Sequence, residues 1–218
     1  IQARMSSRRI KGKVLKKVNG STLLARVIEQ VSKSKKIKKI IIATSDKFSD
    51  KAIVNYCKRN NYNYYCGSLS NVYLRYAKVI KLEKVKSFVR ICADSPAINP
   101  KLIDKSINYY EENNCDIVTN TFPRTFPKGL SVEVINSNTF LETLDLIKKS
   151  RHKEHITSFF YDHSQNYRIY NIKNNLDYSD ISLAIDTVLD LMYMRKLFKN
   201  YNSAENIYKK LKIKLKFG

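Results

Sequence analysis

The chain has 218 residues, 43% hydrophobic and 28% charged, with a formal net charge of +22. That length suits one α/β domain with a modest addition, and the apolar fraction is enough to build a packed core. No apolar run approaches the roughly 18 residues of a membrane span, and Cys57, Cys66, Cys92 and Cys115 are too widely spaced for a disulfide framework or a C-x-x-C site.

The charge admits nucleic acid, a membrane surface or anionic substrates as partners. Its lysines, however, are spread along the whole chain among many Asn and Tyr residues, which reads as a compositional bias as much as a binding face. Nucleic acid is therefore not the expected partner. The densest basic runs are 32–39, read as a solvated helix end, and 209–216, where Lys alternates with Leu and Ile and can contact a partner or an anion. His152, His155 and His163 share no metal-ligand spacing with the cysteines. These features fit a cytoplasmic protein with reduced thiols.

Ile1 opens an apolar, strand-like piece without an initiator methionine, so the chain is expected to begin inside a strand. The next residues, to Lys13, form a loop with four cations besides Lys13, two hydroxyls and a glycine. A cationic loop leaving a strand end is where an open α/β sheet binds phosphate, although a solvated basic loop has the same composition. Residues 23–31 follow a helical period through Leu23, Leu24, Val27, Ile28 and Val31. A buried strand is predicted over 40–43, then a helix capped by Asp50 and running to about residue 60. Further strands are predicted over 62–66, 87–92 and 116–120, with helices over 70–82 and 100–113 between them. The alternation β-α-β-α-β-α-β-α-β argues for a doubly wound, mostly parallel sheet with helices on both faces. After residue 120 the pattern changes. Strands are predicted over 130–135, 167–172 and 183–185, and helices over 139–148, 155–161, 190–199 and 204–211. With no repeat and no flexible linker, 1–218 reads as one domain with an extension over about 121–175.

The spacing of the first loop is more telling than its composition. Ala3, Arg4, Ser7, Arg9 and Lys13 stand in the order A-R-x-x-S-x-R-x-x-x-K. This resembles the signature of the cytidylyltransferases that activate acidic sugars, the CMP-sialic acid and 3-deoxy-manno-octulosonate types. The fuller string IQARMSS…GKVL is closer still to their relatives in spore-coat polysaccharide biosynthesis. Arg8 and Lys11 depart from those relatives, which carry Thr and Pro there.

Asp94, in Arg90-Ile91-Cys92-Ala93-Asp94-Ser95-Pro96, ends a predicted strand, where an acid points into the ligand crevice or caps its own turn. The resemblance implies a metal-binding aspartate in its D-x-P string. Asp186, in Ile185-Asp186-Thr187-Val188-Leu189-Asp190, reads either as a helix cap or, by a similar I-D-T-x-x-D-L string, as the second aspartate on the same metal. Where relatives have Arg-Trp before that string, this chain has Ser182 and Leu183. Two hard carboxylates plus phosphate oxygens suit Mg²⁺. Arg4, Arg9 and Lys13 would neutralise charge on a leaving pyrophosphate.

Ser68, Asn71 and Arg75 open a helix after a strand in a string similar to the relatives' G-S-x-x-x-V-x-x-R-Y, which implies nucleotide contacts; a surface ion pair is the alternative for Arg75. The stretch 119–134 is similar to T-N-x-x-P-R-T-F-P-x-G-L-x-V-E-V. It implies an acceptor pocket in which Arg124 and Lys128 face an acidic or phosphorylated group. Glu133 binds acceptor hydroxyls or is a surface acid. Glu154 and His155 match R-E-H-V-T at a predicted helix start, and His155 contacts the acceptor or packs.

Together the resemblance implies a nucleotide-diphospho-sugar transferase fold, often dimeric, that joins CTP to a sugar acid or sugar phosphate with Mg²⁺ and releases pyrophosphate for surface glycan synthesis. The alternatives are a sugar-1-phosphate nucleotidyltransferase using another triphosphate, a polyanion- or RNA-binding relative, and an inactive one.

Overall fold

The computed structural model describes residues 1–7 and 9–216. Arg8, one of the two departures from the resemblance, lies outside the described residues. The sheet is assembled around the first three residues. Gln2 bridges Ala43 on one side and Cys92 on the other, both in parallel, and its N–H donates to the Ile91 carbonyl at 2.9 Å.

After a short 3-10 turn at Lys13–Leu15, strands β1 (Lys17–Val18) and β2 (Ser21–Thr22) make a small antiparallel hairpin. Its turn residues, Asn19 and Gly20, both have positive φ. Asn-Gly is the pair a tight hairpin asks for, so the turn is legible even though no apolar alternation announces it. Helix α1 (Leu23–Ser32) follows, with the Thr22 side chain accepting from the Ala25 N–H. Strand β3 (Ile42–Ser45) lies two residues later than the predicted strand and pairs in parallel with β4 (Tyr64–Gly67). Between them runs α2 (Lys51–Arg59). Asp50 does not cap it. Its fully buried carboxylate instead accepts from the Ser45 hydroxyl at 2.5 Å and from the Met5 N–H at 2.7 Å.

Helix α3 (Val72–Glu83) is capped by Asn71, and α4 (Pro100–Glu112) by Asn99 with Pro100 at its first turn. Strands β5 (Ser87–Arg90) and β6 (Ile117–Thr119) keep the predicted order. Strand β7 (Glu133–Asn136) does not extend the sheet at an edge. It inserts between β5 and β6, antiparallel to both. Beyond it come α5 (Ser137–Glu142), α6 (Ser150–Glu154) and α7 (Ser158–Asp162), then β8 (Ile169–Asn171), parallel to β6. Helices α8 (Val188–Tyr201) and α9 (Ala204–Lys210) complete the order. The spatial order is thus β4, β3, residues 1–3, β5, β7, β6, β8, with β7 alone running against the rest.

Helices cover both faces, as period-2 strands buried on each side require. Val118 and Val134 join one core with α1, α4, α8 and α9, while their neighbours Ile117 and Ile135 join another with α3, α5 and α7. In that second core Tyr73 stacks on Phe140 with ring centroids 3.8 Å apart. Two other expectations change. The helix predicted over 155–161 starts only at Ser158, as α7, and His155 is the C-cap of the preceding α6, which Glu154 ends, rather than a helix start. Residues 183–185 form no named strand, yet they run beside the core: Leu183 N–H donates to Lys128 O at 2.7 Å and Ile185 N–H to Asp94 O at 2.9 Å.

Gly129 makes that approach possible. Its φ is +93°, and a Cβ there would lie 2.6 Å from both the Ala184 nitrogen and the Leu183 carbonyl carbon. Backbone atoms cannot swing aside as a side-chain tip can. Gly129→Ala is therefore expected to lower stability by about 2 kcal/mol or more in denaturant titration, because it adds both strain and a clash.

Candidate active site

The cationic loop is closed by Gly12, whose N–H donates to Met5 O at 2.8 Å. Gly12 has φ +67° and lies so near Met5 that a Cβ would come 2.9 Å from the Met5 methyl. The closure turns Lys13 inward. Its ammonium donates to Asp94 Oδ2 at 3.0 Å, to Ile185 O at 2.8 Å and to Asp186 Oδ1 at 3.3 Å. Arg9 Nη2 reaches the same Asp186 oxygen at 3.0 Å from the open side, with 63% of its side chain exposed. Lys13, Asp94, Asp186 and Arg9 thus form one cluster at the C-terminal ends of the central strands, where open α/β sheets bind ligands. The other loop residues frame it. Ala3 is buried and donates to Ala43 O at 3.2 Å, Ser7 is half-buried, Lys11 is exposed, and Arg4 pairs with Glu154 of α6 at 2.7 Å.

Asp186 is free for this cluster because other residues cap α8. The Thr187 side chain accepts from Asp190 N–H, and the Asp190 carboxylate accepts from the N–H groups of Asp186 and Thr187 at 3.0 and 2.7 Å. Burial pushes the Asp190 carboxyl up, but these donors outweigh it and hold it below the usual carboxylate range. Asp94 likewise does not cap its own turn; among the described residues its second oxygen accepts from the Ser95 hydroxyl alone, at 3.3 Å.

On the far side of the loop, Ser68 and Asn71 organise the start of α3. Asn71 N–H donates to Ser68 Oγ at 3.0 Å, and Asn71 Oδ1 accepts from Leu74 N–H at 2.9 Å. Arg75 is no surface residue. It is fully buried against Gly67, whose missing side chain leaves room for it, and one of its nitrogens donates to Ser68 O at 3.3 Å. Its Nε and Nη2 have no hydrogen-bond partner among the described residues. Burial lowers the pKa of this guanidinium. A buried donor left unpaired costs about 1–3 kcal/mol, which a bound acceptor would recover.

The residues expected at the acceptor divide. Arg124 is half-buried and donates to Ser131 Oγ at 3.0 Å, while Lys128 and His155 are exposed. Glu133 is neither a surface acid nor an open one. It is 2% exposed, accepts from Arg90 and from the Tyr161 hydroxyl, both at 2.6 Å, and so has each oxygen engaged. Burial pushes its carboxyl up, but the Arg90 charge and the two donors outweigh that and hold it below the ordinary range. Arg90 and Tyr161 carry no motif signal of their own. The pairing register, Arg90 opposite Glu133, brings the first of them in. Tyr161 also stacks on Phe122 at 4.6 Å, and its hydroxyl lies 2.9 Å from Thr119 Oγ1.

Asp94 and Asp186 point at one position, now held by the Lys13 ammonium. Among the described residues no group of three or more His, Cys, Asp or Glu is arranged to hold a metal unaided. Two carboxylates with open space for phosphate oxygens are nonetheless the donor set that suits Mg²⁺, which keeps waters and takes few protein ligands.

An open, mostly parallel sheet with this cluster at its strand ends defines a nucleotide-diphospho-sugar transferase fold. The chain belongs to the cytidylyltransferase family, whose model matches residues 1–202. It is 32% identical over 204 residues to an uncharacterised protein of Methanocaldococcus jannaschii, covering 93% of this chain and 83% of that one. It is 29% identical over 206 residues to the spore coat polysaccharide biosynthesis protein SpsF of Bacillus subtilis, covering 91% and 85%. Among solved structures, a cytidylyltransferase from Leptospira borgpetersenii superposes with a TM-score of 0.89 at 26% identity, covering 97% of this chain and 91% of that one.

The buried pair sets a pH test. The folded-state pKa of Glu133 lies below the unfolded value of about 4.3, so its contribution is full above that value and is lost as pH falls through the folded one. Glu133→Gln leaves the buried Arg90 charge without its carboxylate, and should cost about 3 kcal/mol at pH 7. Thermal melts from pH 7 to pH 3 should show the variant less stable at neutral pH, with a shallower acid decline than the wild type.

Proposed function

We propose that this chain transfers CMP from CTP to an acidic or phosphorylated sugar, with release of pyrophosphate, in the synthesis of a surface glycan. The observation that carries the reading is the cluster of Lys13, Arg9, Asp94 and Asp186, built by residues that match the signature in order. An oxygen of the acceptor attacks the α-phosphorus of CTP, the bond to the bridging oxygen of the β-phosphate breaks, and pyrophosphate leaves. Catalysis of this kind needs positioning and charge rather than a covalent residue.

Arg9 and Lys13, with Arg4 once it exchanges Glu154 for phosphate, meet the negative charge that grows on the leaving pyrophosphate. Asp94 and Asp186 would hold Mg²⁺ or a similar divalent cation, which when bound draws charge from the phosphate and acceptor oxygens. The pyrimidine lies near the start of α3. Its ring nitrogen and carbonyl oxygen are acceptors, and the unpartnered Arg75 donors can meet them. Ala3, Ser7, Ser68 and Asn71 line the same nucleotide side. Arg124 and Lys128 receive the anionic group of the acceptor, with His155 at the rim. Glu133 acts from within, fixing Tyr161 rather than touching the sugar. On this reading the chain works in the cytoplasm as one nucleotidyltransferase domain and as a homodimer.

Pyrophosphate release should be seen with CTP, Mg²⁺ and a nonulosonic acid or sugar phosphate, and not with ATP, GTP or UTP. Asp94→Ala should slow it by about 100-fold or more. Arg75→Met should weaken CTP by about tenfold, the worth of one or two charge-assisted hydrogen bonds. Release with another triphosphate but not with CTP would overturn the assignment of the base. CTP turnover that survives Asp94→Ala would overturn the assignment of the site.

A further inference from the structure

Helix α8 leaves the rim of this cluster with an outer face that no described residue covers. Val188, Leu189, Met192 and Tyr193 are 55%, 75%, 59% and 44% exposed. Spaced i, i+1, i+4 and i+5, they form one stripe over the first turns of the helix. The same face then turns basic: Arg195, Lys196 and Lys199 are exposed. Arg195 donates to Lys17 O at 2.9 Å, which sets the exposed Lys16 and Lys17 beside the stripe's basic end. The one acid between 188 and 199 is Asp190, and its carboxylate is turned back into the helix cap.

We propose that this face docks the protein on an anionic lipid surface, with the apolar stripe entering the interface and the basic collar on the headgroups. Three observations favour lipid over other occupants. The side chains project outward from a convex helix, which suits a deformable phase; a rigid partner needs a shaped counterpart. The apolar tip and cationic collar together match the layering of an anionic interface, in which each juxtamembrane cation adds about 1 kcal/mol. A second copy seated on this face would set one basic collar against the other. The stripe serves attachment and is separate from the residues proposed to handle CTP and acceptor.

A chain this basic will meet anionic vesicles on charge alone, so the test must isolate the stripe. The chain has no tryptophan, and Met192→Trp therefore gives a reporter seen against a dark background. Phe48→Trp, at a still more exposed position before α2, serves as the control. With vesicles of phosphatidylglycerol and phosphatidylcholine, emission from position 192 should shift to the blue and be quenched by brominated lipid, while emission from position 48 should stay unchanged. In sedimentation with the same vesicles, Leu189→Ser with Met192→Ser keeps the net charge and should lower the partition coefficient by about tenfold or more, given roughly 1.5–3 kcal/mol for each large apolar side chain buried. CTP-dependent pyrophosphate release in the absence of lipid should not change in that variant. Equal vesicle binding by variant and wild type, or no shift at position 192, would overturn the proposal. So would a wild-type dimer in light scattering that the double variant converts to monomer, since the stripe would then join two copies. Selective binding of an acidic protein by the stripe, with no lipid shift, would overturn it as well.

Discussion

A single ammonium held by two carboxylates and a main-chain carbonyl is the contact on which the site's geometry depends. Lys13 is almost fully buried, and its acceptors come from two distant parts of the chain: Asp94 after β5, and the adjacent Ile185 and Asp186 before α8. Without that cation, Asp94 and Asp186 would face each other as like charges at short range, which a partly buried site cannot tolerate cheaply. With it, the two acids stay close and oriented. They are already gathered where a phosphate-bound divalent cation would need them.

The rest of the fold delivers those three pieces to one place. Gln2 stitches the loop's strand between β3 and β5, and Asp50 pins the loop at Met5 from below. Gly12 permits the turn that points Lys13 inward. Gly129 allows residues 183–185 to lie close enough for Ile185 to bond to Asp94, which sets where Asp186 emerges. Thr187 and Asp190 then satisfy the start of α8 between themselves, so that Asp186 is not consumed as a cap. Each device is local, and each has its effect at the same cluster.

Much of this could be read from residues alone because the strong signals are local ones. The alternation of apolar runs set out most helices and strands, since burial on two sheet faces imposes its own periods. The spaced cations and the acids at strand and helix ends marked the cluster, since those positions face the crevice whatever the details. Long-range pairing was less legible. Nothing in Glu133 or its neighbours says that β7 enters the sheet antiparallel between β5 and β6. Its burial against Arg90 is a consequence of that register. Asp50 looks like a cap by its place before α2, but a tertiary bond to Ser45 and Met5 wins over the local one. The apolar run after His155 marks a helix, but that helix begins only at Ser158, and the polar residues before His155, which carry no apolar period, form the short α6 that it caps.

The basic surface and the site obey the same electrostatics at different depths. Exposed lysines are screened within about 10 Å at ordinary salt and act mainly by attracting anions. Lys13 is enclosed and acts on two named oxygens. The sharpest measurement is Mn²⁺ binding, followed by its magnetic resonance signal, to the wild type and to Lys13→Met without nucleotide. If Lys13 is what neutralises Asp94 and Asp186, its removal frees both carboxylates, and the variant should bind Mn²⁺ more tightly than the wild type, by about tenfold or more. Equal or weaker binding by a folded variant would show that the two acids do not converge on the position that Lys13 holds.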